Sequence, residues 1–556
     1  MMDVQKLMGA RLRRAVVETL ENRCLLSANP FDSSPAALSV RAEAFVPAIS
    51  RPSVTTVSPA PNSTGVPRDS AVTVDLFLPN SSLDFNTITT GTVFLQRTSD
   101  QSVVPAVVST TGGDDAIILQ PSVLLDPNTS YTFTVTSSVR DISGQQVNPF
   151  TMTFTTGTAG GATDPSIAFQ QLPQANSVNV PWTTVRVGPD HELWAGAEDG
   201  RIFRFPINAD GSLGSPQVFT SLQTANGGPR LLTGFAFDPA SIASNPILWV
   251  SNGFYGFSNA PDFSSKITRL SGSSLQTVQD VVVNLPRSVA DHLTDQPVFG
   301  PDGALYFGQA AENSMGAPDP VWGMRPEHML SAAILRLDVT KVTPGQPLNA
   351  LTPDAGGSYN PDAPGAPLTI YASGVRNAFD LLWSSDNHLY APVNGASAGG
   401  NVPAGPSSPA INQNPQVESD YLDDIVQGGY FGHPNPTLGH FVLDGGNPTA
   451  GTDPAEVQAY PVGTAPDPAW HAPVFDFGLH RSADGIIQYT GSAFGGALNG
   501  KILVAEYSAG ADIVVLSRDA SGHFTGERRI TGLSGFNNPL SLAEDPATGD
   551  IYVAEL

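Results

Sequence analysis

The stretch FGPDGALYFG, residues 299–308, runs from a Gly-Pro-Asp-Gly turn straight into a short apolar and aromatic segment. Proline presets the backbone of the turn, glycine accepts the left-handed conformation, and the residues that follow have the composition of a half-buried strand. The same grammar returns in VGPDHELWAG (187–196), FDPASIASNPILWVS (237–251), WSSDNHLYAPVNG (383–395), YTGSAFGGALNGKILVAEY (489–507) and EDPATGDIYVAE (544–555). Successive units start about 50, 62, 84, 106 and 55 residues apart, the size of a four-stranded blade. Six units predict an all-β fold, a six-bladed β-propeller over residues 166–556, in which no blade is stable alone because each buries both faces against its neighbours. The two widest gaps hold aperiodic insertions, ASAGGNVPAGPSSPAINQNPQVESD and LDGGNPTAGTDPAEVQAYPVGTAPDPAW, expected as loops over one end of the channel. The chain ends directly after the sixth unit, so ring closure is expected to recruit a strand from near Ser166.

Upstream, residues 52–158 carry alternating runs, AVTVDLFL, GTVFLQR, DAIILQP, SYTFTVTSS and FTMTFTTG, separated by turn signals. This spacing predicts a β-sandwich of about a hundred residues. The DPNTSY turn should feed Tyr131 into a strand, and residues 141–144 should form the next turn. Residues 29–51, rich in Ala, Ser and Pro, and residues 159–165 read as linkers.

The balance of 26 Lys plus Arg against 51 Asp plus Glu leaves a formal charge of −25, which repels phosphate backbones and anionic membranes. Nucleic acid is therefore excluded as a partner. Cys24 is the single cysteine, so neither an intramolecular disulfide nor a Cys₄ zinc site can form. No apolar run reaches the roughly 18 residues needed to span a bilayer. The opening 28 residues have a basic start and a small-residue exit around a middle too polar for an ordinary signal-peptide core.

Several of these segments resemble known families. RLRRAVVETLENRCLLSA is similar to the LEPR-type N-terminal sorting segment of exported bacterial proteins, with Asn22 where that motif has proline. Residues 52–158 resemble the SbsA-type bacterial Ig-like domain, through SPAPNSTGVPRDSAVTVDLFLP, DPNTSYTFTVTSSVRDISGQQV and FTMTFTTG. These two resemblances imply an extracellular or cell-surface protein, with attachment through the Ig-like module. LPRSVADHLTDQPVFGPDGALYFG (285–308), IYASGVRNAFDLLWSSDNHLYAPVNG (370–395), DDIVQGGYFGHPN (423–435) and HRSADGIIQYTGSAF (480–494) resemble the soluble PQQ-dependent glucose/sorbosone dehydrogenases, in that family's order.

His292 precedes the strand of the third unit, where side chains of several blades converge on the channel mouth. The neighbouring Asp291 favours an oriented, basic imidazole, although a histidine beside an acidic turn also suits plain solvation. The resemblance implies that His292 takes the hydroxyl proton of a sugar or alcohol while a hydride passes to the quinone PQQ, with Asp291 in support. It places Arg376 and Asn377 on the quinone-contacting pair, and guanidinium forks do match carboxylates. It offers the carbonyls of Asn394 and Gly395 to the cofactor's Ca²⁺, and leaves Asp423 and Asp424 as an acidic pair for a structural cation. The chain departs from the family at Ser508, where a lysine is expected, and in the arginine-free GFNNPLSLAEDP that contains Asn538. Arg481, Arg325 or Arg287 are the replacements on offer. The alternative reading is a non-catalytic surface propeller that binds carbohydrate or protein.

Overall fold

The computed structural model describes residues 50–158 and 166–556, except residues 344, 452, 454 and 529. The N-terminal sorting segment, nearly all of the first linker and the 159–165 linker lie outside the described residues. The protein is all-β: a six-bladed propeller preceded by an Ig-like sandwich.

In the sandwich, a four-stranded sheet (Ser53–Ser58, Val72–Phe77, Ala116–Pro121, Ala106–Thr110) faces a three-stranded one (Val93–Arg97, Ser130–Val135, Phe150–Thr155). Alternation decides which residues turn inward. Val72, Val74, Leu76, Ile117, Leu119 and Phe133 meet in the core, while the threonines between the inward residues of Ser130–Val135 face outward. Tyr131 enters that strand with its hydroxyl accepting from the Asp126 amide at 2.8 Å, and Gly144, at φ +87°, closes the turn from Asp141.

The propeller strands fall into sheets that are antiparallel apart from the short strand Leu348–Asn349, which pairs parallel to Thr277–Leu285 at the edge of the second blade. The third blade shows how the repeated unit works. Val298–Phe299 and Leu305–Gln309 are its first two strands, and the turn between them closes through Gly300 N–H to the Ala304 carbonyl at 2.9 Å, with Gly303 at φ +76°. Each repeated unit is thus the hairpin from a blade's innermost strand to its second. The innermost strands Pro539–Asp545, Trp182–Val187, Arg230–Phe237 and Val298–Phe299 touch in turn around the axis, as do Leu382–Trp383, Ala483–Gln488 and Pro539–Asp545. The sixth blade contributes two paired strands, Pro539–Asp545 and Asp550–Glu555, whose Ala543, Tyr552 and Ala554 pack against Trp182 and Val185 of the first blade. Near Ser166 the chain adds a bridge and not a full strand: Phe169 N–H donates to the Thr531 carbonyl at 2.8 Å, and Ile167 enters the core of the fifth blade.

The two aperiodic insertions pack on each other. Ala396, Val402 and Ile411 from one, and Leu443, Val457 and Tyr460 from the other, enclose Met315 in a separate small core. Met315 belongs to a third insertion, between strands Leu305–Gln309 and Ala333–Leu337, which lies against the sandwich through Val321.

Candidate functional site

His292 is held by the loop that leads into the third blade. Its amide donates to Ser288 Oγ at 3.1 Å, and its carbonyl accepts from the Ser288 amide at 2.9 Å and from Arg287 Nη1 at 3.1 Å. The ring is 3% exposed. Its Nδ1 lies 2.9 Å from the Ala311 carbonyl, and a carbonyl only accepts, so Nδ1 carries the hydrogen and Nε2 keeps a lone pair. Burial, reinforced by the positive Arg376, holds the imidazole well below its ordinary pKa. The result is a neutral, oriented base at physiological pH.

Arg376 reaches the same place from the connection between the third and fourth blades. Its Nε donates to the Ser314 carbonyl at 3.0 Å, and Nη1 donates to the carbonyls of Asn394 and Gly395 at 3.2 and 3.1 Å. Among the described residues Nη2 has no hydrogen-bond partner and is not an orphaned buried atom. The Arg376 carbonyl accepts from the Ala311 amide at 2.7 Å, which couples the arginine's backbone to the residue that orients His292.

Between the two lies an indole that the sequence reading did not anticipate. The ring of Trp322 is centred 4.2 Å from that of His292, and the Arg376 guanidinium carbon stands 5.7 Å from an indole centroid. Trp322 is 1% exposed and its Nε1 has no partner. Asp319 sets the bend of its loop, accepting from the amides of Ser314 and Trp322 at 3.0 Å each.

The sandwich covers this assembly. The tip of its hairpin, residues 111–115 with sequence TGGDD, follows strand Ala106–Thr110 into the mouth. A Cβ on Gly112 would stand 1.9 Å from Asp291 Oδ2, and one on Gly113 would stand 2.8 Å from Trp322 Cζ2. Only glycine allows this approach. Ser397 Oγ donates to Asp115 Oδ1 at 2.7 Å, Gly510 N–H donates to Gln120 Oε1 at 2.9 Å, and His480 Nε2 lies 3.2 Å from Asp75 Oδ1.

The remaining sequence-derived candidates divide. Asp291 faces the hairpin and makes no hydrogen bond to His292; its Oδ1 is buried without a partner, and burial raises its pKa. The carbonyl of Asn377 accepts from the Asn394 amide at 2.9 Å, which ties the two expected cofactor segments together. The Asn394 side chain donates to Asp484 at 3.0 Å, and Gly395 N–H donates to Asp420 at 2.7 Å. Asp423 and Asp424 are successive residues of strand Ser419–Ile425 and so point to opposite faces. Asp424 pairs with His388 at 2.8 Å, whereas Asp423 is buried and its carboxyl is pushed well up by desolvation and then by Asp424. They do not converge on one cation. Arg481 lies at the covered end but turns to the Ala509 carbonyl at 3.1 Å and to Glu506. Arg287 and Arg325 donate to backbone carbonyls of 256, 260, 287 and 292, and burial lowers Arg287 to about 10.

The donor set can be tested against the two groups that the sequence reading implies. For a flat anionic quinone the residues fit: an aromatic ring already lies against both His292 and Arg376, one guanidinium nitrogen is free, and the base is in the right tautomer. For Ca²⁺ at the carbonyls of Asn394 and Gly395 they do not fit, because a guanidinium donates to both. Among the described residues no group of three or more His, Cys, Asp or Glu side chains is arranged to hold a metal ion.

The sandwich has a family match: residues 48–156 match the bacterial Ig-like domain family. No curated protein matches the chain. Three solved structures resemble it: an oxidoreductase described as a glucose dehydrogenase from Thermus thermophilus (19% identity, 69% of this chain and 93% of that one, TM-score 0.41); the PQQ-bound aldose sugar dehydrogenase of Streptomyces coelicolor (18%, 69% and 90%, 0.42); and the PQQ domain of pyranose dehydrogenase from Coprinopsis cinerea (12%, 71% and 96%, 0.42). No helix among the described residues is long and apolar enough to cross a membrane.

Proposed function

We propose that this protein is an exported dehydrogenase that oxidises a hydroxyl of a sugar or alcohol with PQQ as electron acceptor. The observation that carries the reading is the pairing at one mouth of a neutral, tautomer-fixed His292 with Arg376, two sides of a slot that is already shaped around a flat ring. His292 Nε2 takes the hydroxyl proton, and its low basicity in the buried state keeps it unprotonated until substrate arrives. Bound PQQ would supply the two-electron acceptor for the hydride that leaves the carbon bearing that hydroxyl, and the proton held on His292 would complete the quinol as alcohol becomes carbonyl. Arg376, whose Nε and Nη1 anchor the guanidinium to the blade loops, would hold a carboxylate of the quinone through its remaining nitrogen.

The test is to supply purified full-length protein with PQQ, with and without Ca²⁺, and to follow dye reduction over a panel of aldoses and alcohols. Reduction with at least one of them is expected. Protein that binds PQQ and reduces nothing overturns the reading. One observation favours a second reading, a propeller that binds carbohydrate or protein without turnover: the slot is filled by Trp322. Sugar binding without any PQQ binding would establish it.

A further inference from the structure

Three features of the covered mouth belong together. Val321 and Trp322 are adjacent in sequence yet face opposite bodies, Val321 packing on the core of the sandwich and Trp322 lying on His292. Gly113 stands against the outer edge of the indole, so the hairpin tip backs the ring that fills the slot. The tip is built for this position: Thr110 Oγ1 donates to Asp114 at 2.6 Å, the Asp115 amide donates to Thr111 Oγ1 at 3.1 Å, and Asp115 then accepts the cross-domain bond from Ser397. Beside this stack a cavity of about 340 Å³ lies between sandwich and propeller, lined among others by Phe77, Asp115, Ser314, Val321 and Met324.

We infer that the Ig-like domain is the gate of the propeller's site: its hairpin tip clamps the Trp322 loop over His292, and the slot opens to a flat ligand only when the tip lifts. Trp322 is then an internal stand-in that a ligand must displace, and the sandwich acts as a regulator as well as a spacer. The mechanical claim concerns access to the slot; its extension to PQQ rests on the proposed function. A site whose open form is a small fraction of the population binds its ligand more weakly by that same fraction. Loosening the clamp therefore raises both loop mobility and apparent affinity.

The experiment compares full-length protein with its Gly113→Val and Ser397→Ala variants. Hydrogen exchange is read over residues 313–327, and PQQ binding is read by calorimetry. Gly113→Val drives the tip off the indole; Ser397→Ala removes one hydroxyl and leaves the hairpin's own bonds intact, so it remains informative if the bulkier variant folds poorly. Exchange over 313–327 is expected to quicken about tenfold or more in Gly113→Val, and by roughly fivefold in Ser397→Ala, the worth of one net hydrogen bond. PQQ affinity should rise by matching factors. Unchanged exchange in both variants overturns the gate. Faster exchange with equal PQQ affinity in all three proteins overturns the claim that the loop bars the slot, while leaving the dehydrogenase reading intact. Faster exchange with no PQQ bound by any of them upholds the gate and overturns the dehydrogenase reading.

Discussion

The core of the Ig-like sandwich and the covered mouth of the propeller are buried to a similar degree with opposite chemistry. In the sandwich, Val72, Val74, Ile117, Leu119 and Phe133 are fully enclosed, and every one is apolar. At the mouth the enclosed side chains include Arg287, His292, Asp295 and Glu312, and several of their atoms lack partners. Apolar burial lowers the free energy of folding by about 25 cal/mol per Å², whereas an unpartnered buried polar group costs about 1–3 kcal/mol. Folding alone accounts for the first set and works against the second. Strain of that kind persists where a site needs it.

The largest effect that would break this contrast is on turnover. Replacing His292 with Ala in PQQ-loaded protein is expected to slow dye reduction by about 10²–10⁴, the usual worth of a positioned base. An unchanged rate would make the mouth's buried polar groups structural after all. Next, Phe133→Ala is expected to destabilise the sandwich by about 3–5 kcal/mol in denaturant unfolding, as for a large buried aromatic. A loss under about 1 kcal/mol would mean that its core is not the compact apolar unit described.

Glu312 sharpens the comparison from the other side. Neither carboxylate oxygen has a hydrogen-bond partner, and burial, then Asp262 and Glu327, raise its pKa well above normal. An acid whose folded pKa is raised favours the folded state most below its unfolded value near 4.5, and stability falls as pH climbs from there toward the folded value. Glu312→Gln should therefore raise the melting temperature at pH 8, and raise it less at pH 5. An equal shift at both pH values would contradict that assignment.

The smallest expected effect is on the contact between the two bodies. His480 faces Asp75 of the sandwich, with Asp420 and Asp115 near, and its pKa is raised above 6.5 despite burial. Its contribution is complete below 6.5 and disappears as pH passes the raised value. Asp114, desolvated and facing Asp291, Asp115 and Asp84, is pushed up to about 7. It becomes charged as pH approaches that value, which disfavours the docked tip further. Both signs agree: protease cleavage within residues 111–115 should be faster at pH 8 than at pH 6, and His480→Gln should reduce the difference. Faster cleavage at pH 6 would contradict both assignments.

Much of this was legible in the residues. A turn followed by a strand that opens on aromatic or aliphatic residues disclosed all six units, because each blade must reverse between its first two strands. Alternation disclosed the inward face of the sandwich. The opposition of Asp423 and Asp424 was also readable, since they fall in one strand, but adjacency in sequence suggested a shared cation. What the sequence concealed was the docking of one domain on the other. That contact is made by Gly112 and Gly113, which carry no side chain to signal it, and by Trp322, one aromatic inside an aperiodic insertion. A contact across about 200 positions leaves no periodic trace. The guanidinium of Arg376 was expected to face a cofactor, yet most of its donors serve loop carbonyls, an arrangement that only the folded backbone displays.

The most direct measurement is a crystal structure of the full-length Trp322→Ala variant grown with PQQ. The quinone should lie in the space left by the indole, with His292 on one side and a carboxylate on Arg376 Nη2. A quinone bound elsewhere, or a slot refilled by the hairpin with none bound, would contradict the account.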